Sequence, residues 1–390
     1  MRLHGVRRLT SSGLTRPGTA ELAHVDADDR DASGLILSPG WVDLHAHLRD
    51  PGFPEKETLQ SGSASAAFGG FTHVLAMANT DPVTDRPDRV RMLLARAEGL
   101  PIRVSFAGAL SVGLDGKVLT DATGLRAAGA VALSDDGRHA LQRTTLKAGF
   151  IGAAEAGLPV LLHAQKEQPG SGPAAETTAV GEALEVLAEV PQARLHLQHI
   201  STGAAVELIR QAKKDGLPVT AEVTPHHLAL TAGDAVWMGG QGNVNPPLRS
   251  ASDRAAVREA LADGVIDIVA TDHAPHEPAA KAAGANGFHG FETALGVLFG
   301  LELDERVLFR ACVEKPREII SHAFAAKLEP DDLRSDDWIL IDPDVEWTVD
   351  PSAFRSRGKN SPFAGRRLRG RVVMTIAAGQ VLFERMVQRV

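Results

Sequence analysis

The stretch that decides the fold is Val42-Asp43-Leu44-His45-Ala46-His47-Leu48-Arg49-Asp50-Pro51-Gly52. It is typical of a β-strand that runs into a turn, because the final Pro-Gly pair ends the extended run. Side chains alternate faces along a strand, so His45 and His47 point the same way, about 7 Å apart. Neutral imidazole binds Zn²⁺ readily. The stretch predicts a strand at a barrel mouth that carries two metal ligands; two inert buried histidines are the alternative.

The composition is that of an ordinary globular protein. The 390 residues are 44% hydrophobic and 23% charged, with a net charge of −8. No lysine- and arginine-rich run exceeds a few residues, which argues against nucleic acid as a partner. No apolar run approaches about 20 residues, so we expect no membrane span. A single cysteine, Cys312, excludes an intramolecular disulfide and fits a cytoplasmic location.

Strand-like runs alternate with helical patterns through the middle of the chain. Eight such runs occupy residues 40–47, 73–79, 102–109, 130–134, 159–164, 195–201, 218–224 and 266–271. Eight βα units in succession predict an α/β protein with a (β/α)₈ TIM barrel over residues 40–336. An open doubly wound sheet is the alternative, although no Gly-x-Gly-x-x-Gly motif follows a strand. Strand-like pieces in residues 1–39 and 337–390 predict one small β domain built from both ends.

Histidines and carboxylates gather at the carboxyl ends of these runs, which form the catalytic edge of such a barrel. Run one ends in His45-Ala46-His47-Leu48-Arg49, run four in Ser134-Asp135-Asp136, run five in His163, run six in Gln198-His199 and run eight in Thr271-Asp272-His273. Four histidines and two or three carboxylates that converge on one mouth would supply a mononuclear or dinuclear hydrolytic metal site.

Several longer motifs surround these residues. They include Asp43-Leu-His-Ala-His-Leu-Arg49, Glu222-Val-Thr-Pro-His-His-Leu228, Asn245-Pro-Pro-Leu-Arg249, Ala270-Thr-Asp-His-Ala-Pro-His276 and Gly290-Phe-Glu-Thr293. Together they resemble class I bacterial dihydroorotases of the amidohydrolase superfamily, over nearly the whole chain. The resemblance implies a distorted (β/α)₈ barrel with a small β-sandwich formed by the N- and C-terminal segments. It also implies the reversible, metal-dependent interconversion of N-carbamoyl-L-aspartate and L-dihydroorotate plus water in de novo pyrimidine (UMP) biosynthesis.

The resemblance also implies a set of metal ligands. These are His45, His47, Asp136, His163, His199 and Asp272. His45 and His47 would bind the more buried ion. His163 and His199 would bind a second ion, and Asp136 would join the two. Many relatives use a carbamylated lysine as the bridge, but no lysine occurs at the end of run four here. By strand parity, the neighbouring Asp135 is expected to face away. The implied cofactor is Zn²⁺, at one or two ions per subunit, with two favoured.

Catalytic and substrate-binding roles follow from the same resemblance. Asp272 would be the proton shuttle between the attacking water and the departing ring nitrogen. The substrate-binding residues would be Arg49, Asn79, Asn245, His276, Phe288 and Gly290. Arg49 suits a carboxylate without any analogy, because a guanidinium presents a matching fork of donors. We interpret residues 276–292 as a loop over the barrel mouth.

Two other functions stay open at this point. One is a hydantoinase- or allantoinase-like cyclic amidase, although those relatives mostly use the bridging lysine and lack the arginine after His-x-His-x. The other is a structural partner of aspartate transcarbamoylase without activity, although such proteins have lost the metal histidines that this chain keeps. An active homodimer and an association of the active enzyme with aspartate transcarbamoylase both fit the resemblance, and the sequence decides neither.

Overall fold

The computed structural model describes residues 1–22, 25–26, 28–136, 142–165, 172–320 and 337–385. Within these residues the longer strands form two sheets. One is a nearly closed barrel of eight parallel strands, and the other is a mixed sheet built from both ends of the chain. The predicted α/β TIM barrel with a small terminal β domain is therefore confirmed. No helix in the described ranges is long and apolar enough to cross a membrane.

The strands fall into three groups along the chain. The first is β1 (Arg2–Thr10), β2 (Gly13–Leu14), β3 (Gly18–Glu21), β4 (Asp29–Asp31) and β5 (Ile36–Pro39). The second is β6 (Trp41–Ala46), β7 (Phe71–Ala76), β8 (Arg103–Ala109), β9 (Ala132–Ser134), β10 (Val160–Leu162), β11 (Leu195–Leu197), β12 (Val219–Val223) and β13 (Ile268–Val269). The third is β14 (Trp338–Thr348), β15 (Arg367–Ala377) and β16 (Gln380–Glu384). The second group forms the barrel in chain order, and the other two share the terminal sheet.

Helices follow most barrel strands. They are α1 (Leu59–Phe68), α2 (Pro87–Ala97), α3 (Ala122–Ala128), α4 (Arg143–Ala156), α5 (Gly172–Glu189), α6 (Gly203–Lys214), α7 (Pro225–Ala229), α8 (Ala232–Met238), α9 (Ala251–Asp263), α10 (Pro278–Ala282), α11 (Phe291–Gly300), α12 (Glu305–Phe309) and α13 (Lys315–Ile319). Helix α4 ends at Gly157, whose φ of 69° is the left-handed conformation that stops a helix and suits glycine. Helix α4 thus ends three residues before β10 begins at Val160.

The barrel closes between its first and last strands just below the mouth. Ala46 forms a parallel bridge with His273, and the backbone N–H of His47 donates to the carbonyl of His273 at 2.8 Å. The buried carboxylate of Asp43 accepts hydrogen bonds from the Thr271 backbone N–H and hydroxyl. Asp43 therefore ties β6 to the end of β13, directly beneath the ligand-bearing residues.

The terminal sheet packs on the barrel through a shared core. Ile339 and Ile341 of β14 belong to the same buried apolar cluster as Trp41 of β6. The Thr375 hydroxyl of β15 donates to the carbonyl of Ala67 in α1 at 2.7 Å. Burial of these side chains contributes roughly 25 cal/mol per Å² of apolar surface removed from water, so the sheet stabilises the start of the barrel.

A buried carboxylate fixes the chain after β11. Glu176 of α5 is 2% exposed and accepts hydrogen bonds from the backbone N–H groups of Ser201 at 3.1 Å and Thr202 at 2.9 Å. Both hydroxyl groups also donate to it, and Arg249 Nη2 lies 3.7 Å away. These contacts hold the segment that follows His199, one of the expected metal ligands.

We expect Glu176→Ala to lower the free energy of unfolding by about 3 kcal/mol, because it leaves buried donors and Arg249 without their acceptor. Glu185→Ala on the same helix is the matched control. Its carboxylate pairs with Arg143 at the surface, so its loss should leave stability nearly unchanged. Guanidinium-induced unfolding followed by circular dichroism measures both variants, and equal effects would contradict the anchoring role.

Candidate active site

Histidines from three different barrel strands meet at the carboxyl edge of the barrel. His45, His163 and His199 place ligand atoms within 4.8 Å of one another, and so do His45, His47 and Asp272. All five residues are buried. The two groups share His45, so they form one continuous set of donors. The structure thus brings together side chains that are separated by up to 227 positions in the sequence.

Asp136 completes this set from the end of β9. Its Oδ1 lies 3.6 Å from His163 Nε2 and 3.8 Å from His47 Nδ1, so it stands between the two histidine groups. Its Oδ2 is buried and has no hydrogen-bond partner among the described residues. A buried carboxylate oxygen without a partner is costly unless an ion or water satisfies it. The position of Asp136 therefore suits a ligand that faces both groups.

The spacing of the donors fits a divalent ion. His45 Nε2 lies 3.2 Å from His163 Nε2, and His47 Nε2 lies 3.1 Å from Asp272 Oδ1. Ligand atoms on a tetrahedral zinc ion lie about 3.3 Å apart, because Zn–N distances are about 2.0–2.1 Å. Imidazole nitrogen and carboxylate oxygen are also ligand types that zinc accepts. Both the chemistry and the separations of these side chains match such a centre.

Buried carboxylates orient the imidazole rings from behind. Glu222 of β12 places Oε1 2.5 Å from His45 Nδ1 and Oε2 2.9 Å from His196 Nε2. Glu222 Oε1 also accepts the backbone N–H of His199 at 3.2 Å. A carboxylate that accepts a hydrogen bond from one ring nitrogen fixes the orientation of a ligand histidine. It also makes the other ring nitrogen a stronger electron-pair donor to a metal ion. Glu222 received no role from the sequence, although a glutamate between Ala221 and Val223 in a buried strand was a usable signal.

Asp135 and Asn79 act on two further histidines. Asp135 Oδ1 accepts the backbone N–H of His163 at 2.8 Å and lies 3.1 Å from His163 Nδ1. Strand parity had predicted that Asp135 faces away from the side of Asp136; Asp136 lines the cavity, whereas Asp135 does not and contacts His163 Nδ1. Asn79 Oδ1 lies 3.0 Å from His47 Nδ1. The rings of His45, His47 and His163 therefore each have an oxygen within hydrogen-bond distance of Nδ1.

Several buried carboxylates shift the pKa values of the side chains at the site. Burial disfavours a charged imidazole, but Glu222 and Asp272 outweigh it and raise the pKa of His45 to about 9. Burial also opposes ionisation of Asp272, yet His45 and His47 hold the pKa of that carboxyl well below its usual range. The pKa of His199 is lowered, first by burial and then by the neighbouring histidines. Asp272 and Glu222 are therefore anionic and His199 is neutral, so these side chains together attract a cation.

The backbone at the site is strained. Arg49, Asp136, His199 and Asp272 have φ values of 59°, 42°, 37° and 48°. Residues other than glycine seldom adopt this left-handed region, and each instance costs roughly 1–3 kcal/mol. All four follow or lie beside the ends of barrel strands, and all four were expected from the sequence to bind metal or substrate. Such strain persists where a side chain must be aimed in one direction, which supports a functional site.

A cavity of about 230 Å³ opens above the ligand set. Its wall consists of His47, Arg49, Asn79, Asp136, His163, His199, Asn245, Asp272, Ala274, His276, Asn286 and Gly287. Arg49 Nη2 lies 3.4 Å from His276 Nε2. Within the described residues, Arg49 forms no ion pair and its buried Nε has no hydrogen-bond partner. An unpaired guanidinium on the wall of a cavity is suited to an anionic group of a ligand.

Two residues expected to bind substrate lie behind this wall. The Phe288 ring is 2% exposed and packs on the His226 ring, with 4.7 Å between centroids. The backbone N–H of Gly290 donates to His273 Nδ1 at 3.2 Å. Asn286 and Gly287 line the cavity instead. Neither residue was predicted as part of the site from the sequence, although an Asn-Gly pair marks a tight turn and was an available signal.

Comparisons with known proteins agree with this geometry. A family model described as "Dihydro-orotase-like" matches residues 34–168. The chain is 42% identical to a dihydroorotase of Anaeromyxobacter dehalogenans strain 2CP-1 over 387 residues, which covers 92% of this chain and 89% of that protein. It is 39% identical to a dihydroorotase of Thermus aquaticus, with 91% and 90% covered.

Solved structures show the same architecture. An L-hydantoinase (dihydropyrimidinase) from Arthrobacter aurescens superposes with a TM-score of 0.86 at 27% identity, covering 100% of this chain and 97% of that chain. A dihydropyrimidinase from Brevibacillus agri gives a TM-score of 0.84 at 21% identity, with 98% and 95% covered, and supports the fold alone. With relatives above 30% identity over nine tenths of its length, the chain belongs to the dihydroorotase family.

Proposed function

We propose that this dihydroorotase works in de novo pyrimidine biosynthesis with two zinc ions held by the six converging ligands. The reaction is the reversible closure of N-carbamoyl-L-aspartate to L-dihydroorotate plus water. One observation carries the proposal: five of the six metal-type donors, all but the fully buried His45, line the same cavity as an unpaired arginine. The first suits hydrolysis of an amide, and the second suits the carboxylate that distinguishes dihydroorotate from a plain cyclic amide.

The proposed division of labour places metal binding on the floor of the cavity. His45, His47, His163 and His199 would hold the ions, with Asp136 between the two groups. A divalent ion in such a site makes water acidic enough to act as a nucleophile near neutral pH and polarises an amide carbonyl. Glu222 and Asp135 would keep the rings in position throughout the reaction.

Asp272 is the proposed proton carrier. Its carboxylate is ionised at neutral pH, and its Oδ1 is within 3.1 Å of His47 Nε2 at the floor of the cavity. In hydrolysis it accepts the proton of the attacking water and delivers it to the ring nitrogen as the amide bond breaks. In the closing direction it takes a proton from the ureido nitrogen, which attacks the side-chain carboxyl carbon of the substrate. Asp272 then returns the proton to the departing carboxyl oxygen, which leaves as water.

The proposed substrate contacts come from the rim. Arg49 binds the substrate carboxylate, and Asn79 and Asn245 contribute amide groups to the same wall. Burial, together with the charge of Arg49, lowers the pKa of His276 to about 3, so this imidazole is neutral. Its Nε2 lies 2.8 Å from the carbonyl of Asn286, which makes Nε2 the protonated nitrogen. His276 can therefore stand beside Arg49 without repelling it.

The second candidate is a hydantoinase-like cyclic amidase. The resemblance to the L-hydantoinase structure favours it, since that protein shares the whole fold. The higher identity to dihydroorotases and the unpaired Arg49 favour the first candidate, because hydantoin and dihydrouracil carry no carboxylate. Assay of the purified chain on L-dihydroorotate, hydantoin and allantoin decides between them, and activity on the last two alone would overturn the proposal.

The same proposal includes the domain boundaries, the location and the assembly of the enzyme. We divide the chain at residues 39/40 and 336/337, where the terminal sheet gives way to the barrel and returns, although residues 321–336 are outside the described ranges. We place the enzyme in the cytoplasm, in line with its single buried cysteine. We regard a homodimer and an association with aspartate transcarbamoylase as assemblies to be tested by light scattering.

Asp272→Asn should lower kcat by at least about 1,000-fold, because an amide accepts no proton in the reaction, while most of the bound metal remains. Steady-state kinetics and elemental analysis of the same sample measure both quantities. Turnover near that of the unaltered enzyme would rule out Asp272 as the proton carrier.

Arg49→Met should lower kcat/KM for dihydroorotate about 100-fold, through loss of a charge-assisted pair with the substrate carboxylate. Hydrolysis of dihydrouracil, which lacks the carboxylate, provides the internal control and should change far less. An exposed arginine on α2, Arg91, offers the matched variant Arg91→Met, with unchanged kinetics. An equal loss on both substrates would show that Arg49 acts on the site as a whole.

Dialysis against a zinc chelator should abolish activity, and added Zn²⁺ should restore it, because the water nucleophile depends on the ion. Mass spectrometry of elements should find two zinc ions per chain. His163→Asn should reduce this to about one, since three or four protein ligands are needed to hold a zinc ion, whereas His4→Asn on the terminal sheet should not. A single ion in the unaltered chain would refute the two-ion part of the proposal.

A further inference from the structure

A buried lysine lies next to the cavity without an acidic partner. Lys281 of α10 is 2% exposed, and within the described part of the chain it forms no ion pair. Its Nζ instead donates to three backbone carbonyls: Asn243 at 2.8 Å, Ala285 at 2.9 Å and Gly287 at 2.8 Å. An ammonium group has three donors, so all of them are used within the protein.

These three carbonyls belong to two separate segments of the cavity wall. Asn243 lies two residues before Asn245, and the other two carbonyls flank Asn286. The backbone N–H of Gly287 also donates to the carbonyl of Asn243 at 3.0 Å. Lys281 therefore fastens the segment that carries Asn245 to the segment that carries Asn286. Neither segment is part of a strand or helix at these positions, so its path depends on contacts such as these.

The fastened segment also supports His276. The carbonyl of Asn286 holds His276 Nε2, and Gly287 O accepts a second hydrogen bond from Asn360 Nδ2 at 2.9 Å. Asn360 Oδ1 in turn accepts the backbone N–H of His276 at 3.0 Å. A shift of residues 285–287 would thus move His276, which lies beside Arg49.

The tight fit of the loop leaves little room for other arrangements. Gly287 has a φ of 106°, and a side chain there would place its Cβ 2.6 Å from that of Ala274. The loop therefore lies flat against Ala274, itself part of the cavity wall. Burial lowers the pKa of Lys281 to about 8, so keeping this ammonium charged has a cost that its hydrogen bonds must offset.

We propose that Lys281 is a positioning residue that sets substrate affinity by clamping the two wall segments together. It does not line the cavity, and its donors are all engaged by the backbone, so it acts through Asn245, Asn286 and His276 rather than on the reacting atoms. The inference rests on the proposed function, since the affinity in question is that for dihydroorotate and N-carbamoyl-L-aspartate.

The test is Lys281→Met, which keeps most of the volume and removes the three donors. KM for dihydroorotate should rise about 10-fold or more, because a wall displaced by a fraction of an ångström loses its contacts with substrate. The change in kcat should stay below about 3-fold, as the ligand set and Asp272 are not touched. Zinc content should equal that of the unaltered enzyme. Lys214→Met, on the exposed face of α6, is the matched control and should change neither constant.

Hydrogen exchange supplies a readout that does not depend on activity. Backbone amides of residues 284–288 should exchange at least about 10-fold faster in Lys281→Met than in the unaltered chain. The reason is that Lys281 no longer holds the carbonyls of this segment, which can then open more often. If Lys281→Met fails to fold, Lys281→Gln keeps two donors and should show intermediate values of both measurements. An unchanged KM, or unchanged exchange in this segment, would overturn the proposal. Inactivity of the unaltered enzyme on dihydroorotate would instead refute the proposed function and leave the exchange result valid.

Discussion

The structure depends on the pairing of buried carboxylates at the barrel mouth. An unpaired carboxylate in the interior costs several kcal/mol, so it must face cations or hydrogen-bond donors. Burial alone would keep Glu222 neutral, but His45 and His196 on either side hold the pKa of that carboxyl well below its usual range. Asp43 meets this constraint only in part: Thr271 donates to it, yet burial raises the pKa of that carboxyl to about 7. These pairs fix the histidine rings, close the barrel and leave ring nitrogens facing one another.

Much of this arrangement could be predicted from the sequence because it follows from local geometry. Side chains alternate along β6 because of the pleat, so His45 and His47, which directly follows the strand, were expected to share a face. The role of Glu222 could not be predicted in this way. Its partners lie 177 and 26 positions away in the sequence, and spacing alone does not tell which strands are neighbours or at what height their side chains meet. The contact between Asp135 and the His163 ring could not be predicted either, because spacing does not tell which residues meet at the end of a strand.

The loop after β13 was harder still, because a loop has no period from which faces can be inferred. Its glycines led us to expect a loop over the barrel mouth with Phe288 against the substrate. In the structure Asn286 is part of the cavity wall, and Phe288 packs behind that wall. The path of this loop is set by contacts across the chain. Lys281 reaches a carbonyl 38 positions away, and Asn360 reaches Gly287 across 73 positions. Such contacts become visible only once the barrel has brought the segments together.

The scaffold alone does not select the substrate, since a hydantoinase shares it with a TM-score of 0.86. Selection must come from charges at the cavity. A substrate that carries a carboxylate needs a cation on the cavity wall as its partner. Arg49 is such a cation, without an ion pair of its own in the described residues. Its strained φ of 59° turns it toward the cavity at the point where β6 gives way to the loop. A neutral hydantoin needs no such charge, so an unpaired Arg49 on the cavity wall agrees better with the proposed carboxylate substrate than with a hydantoin.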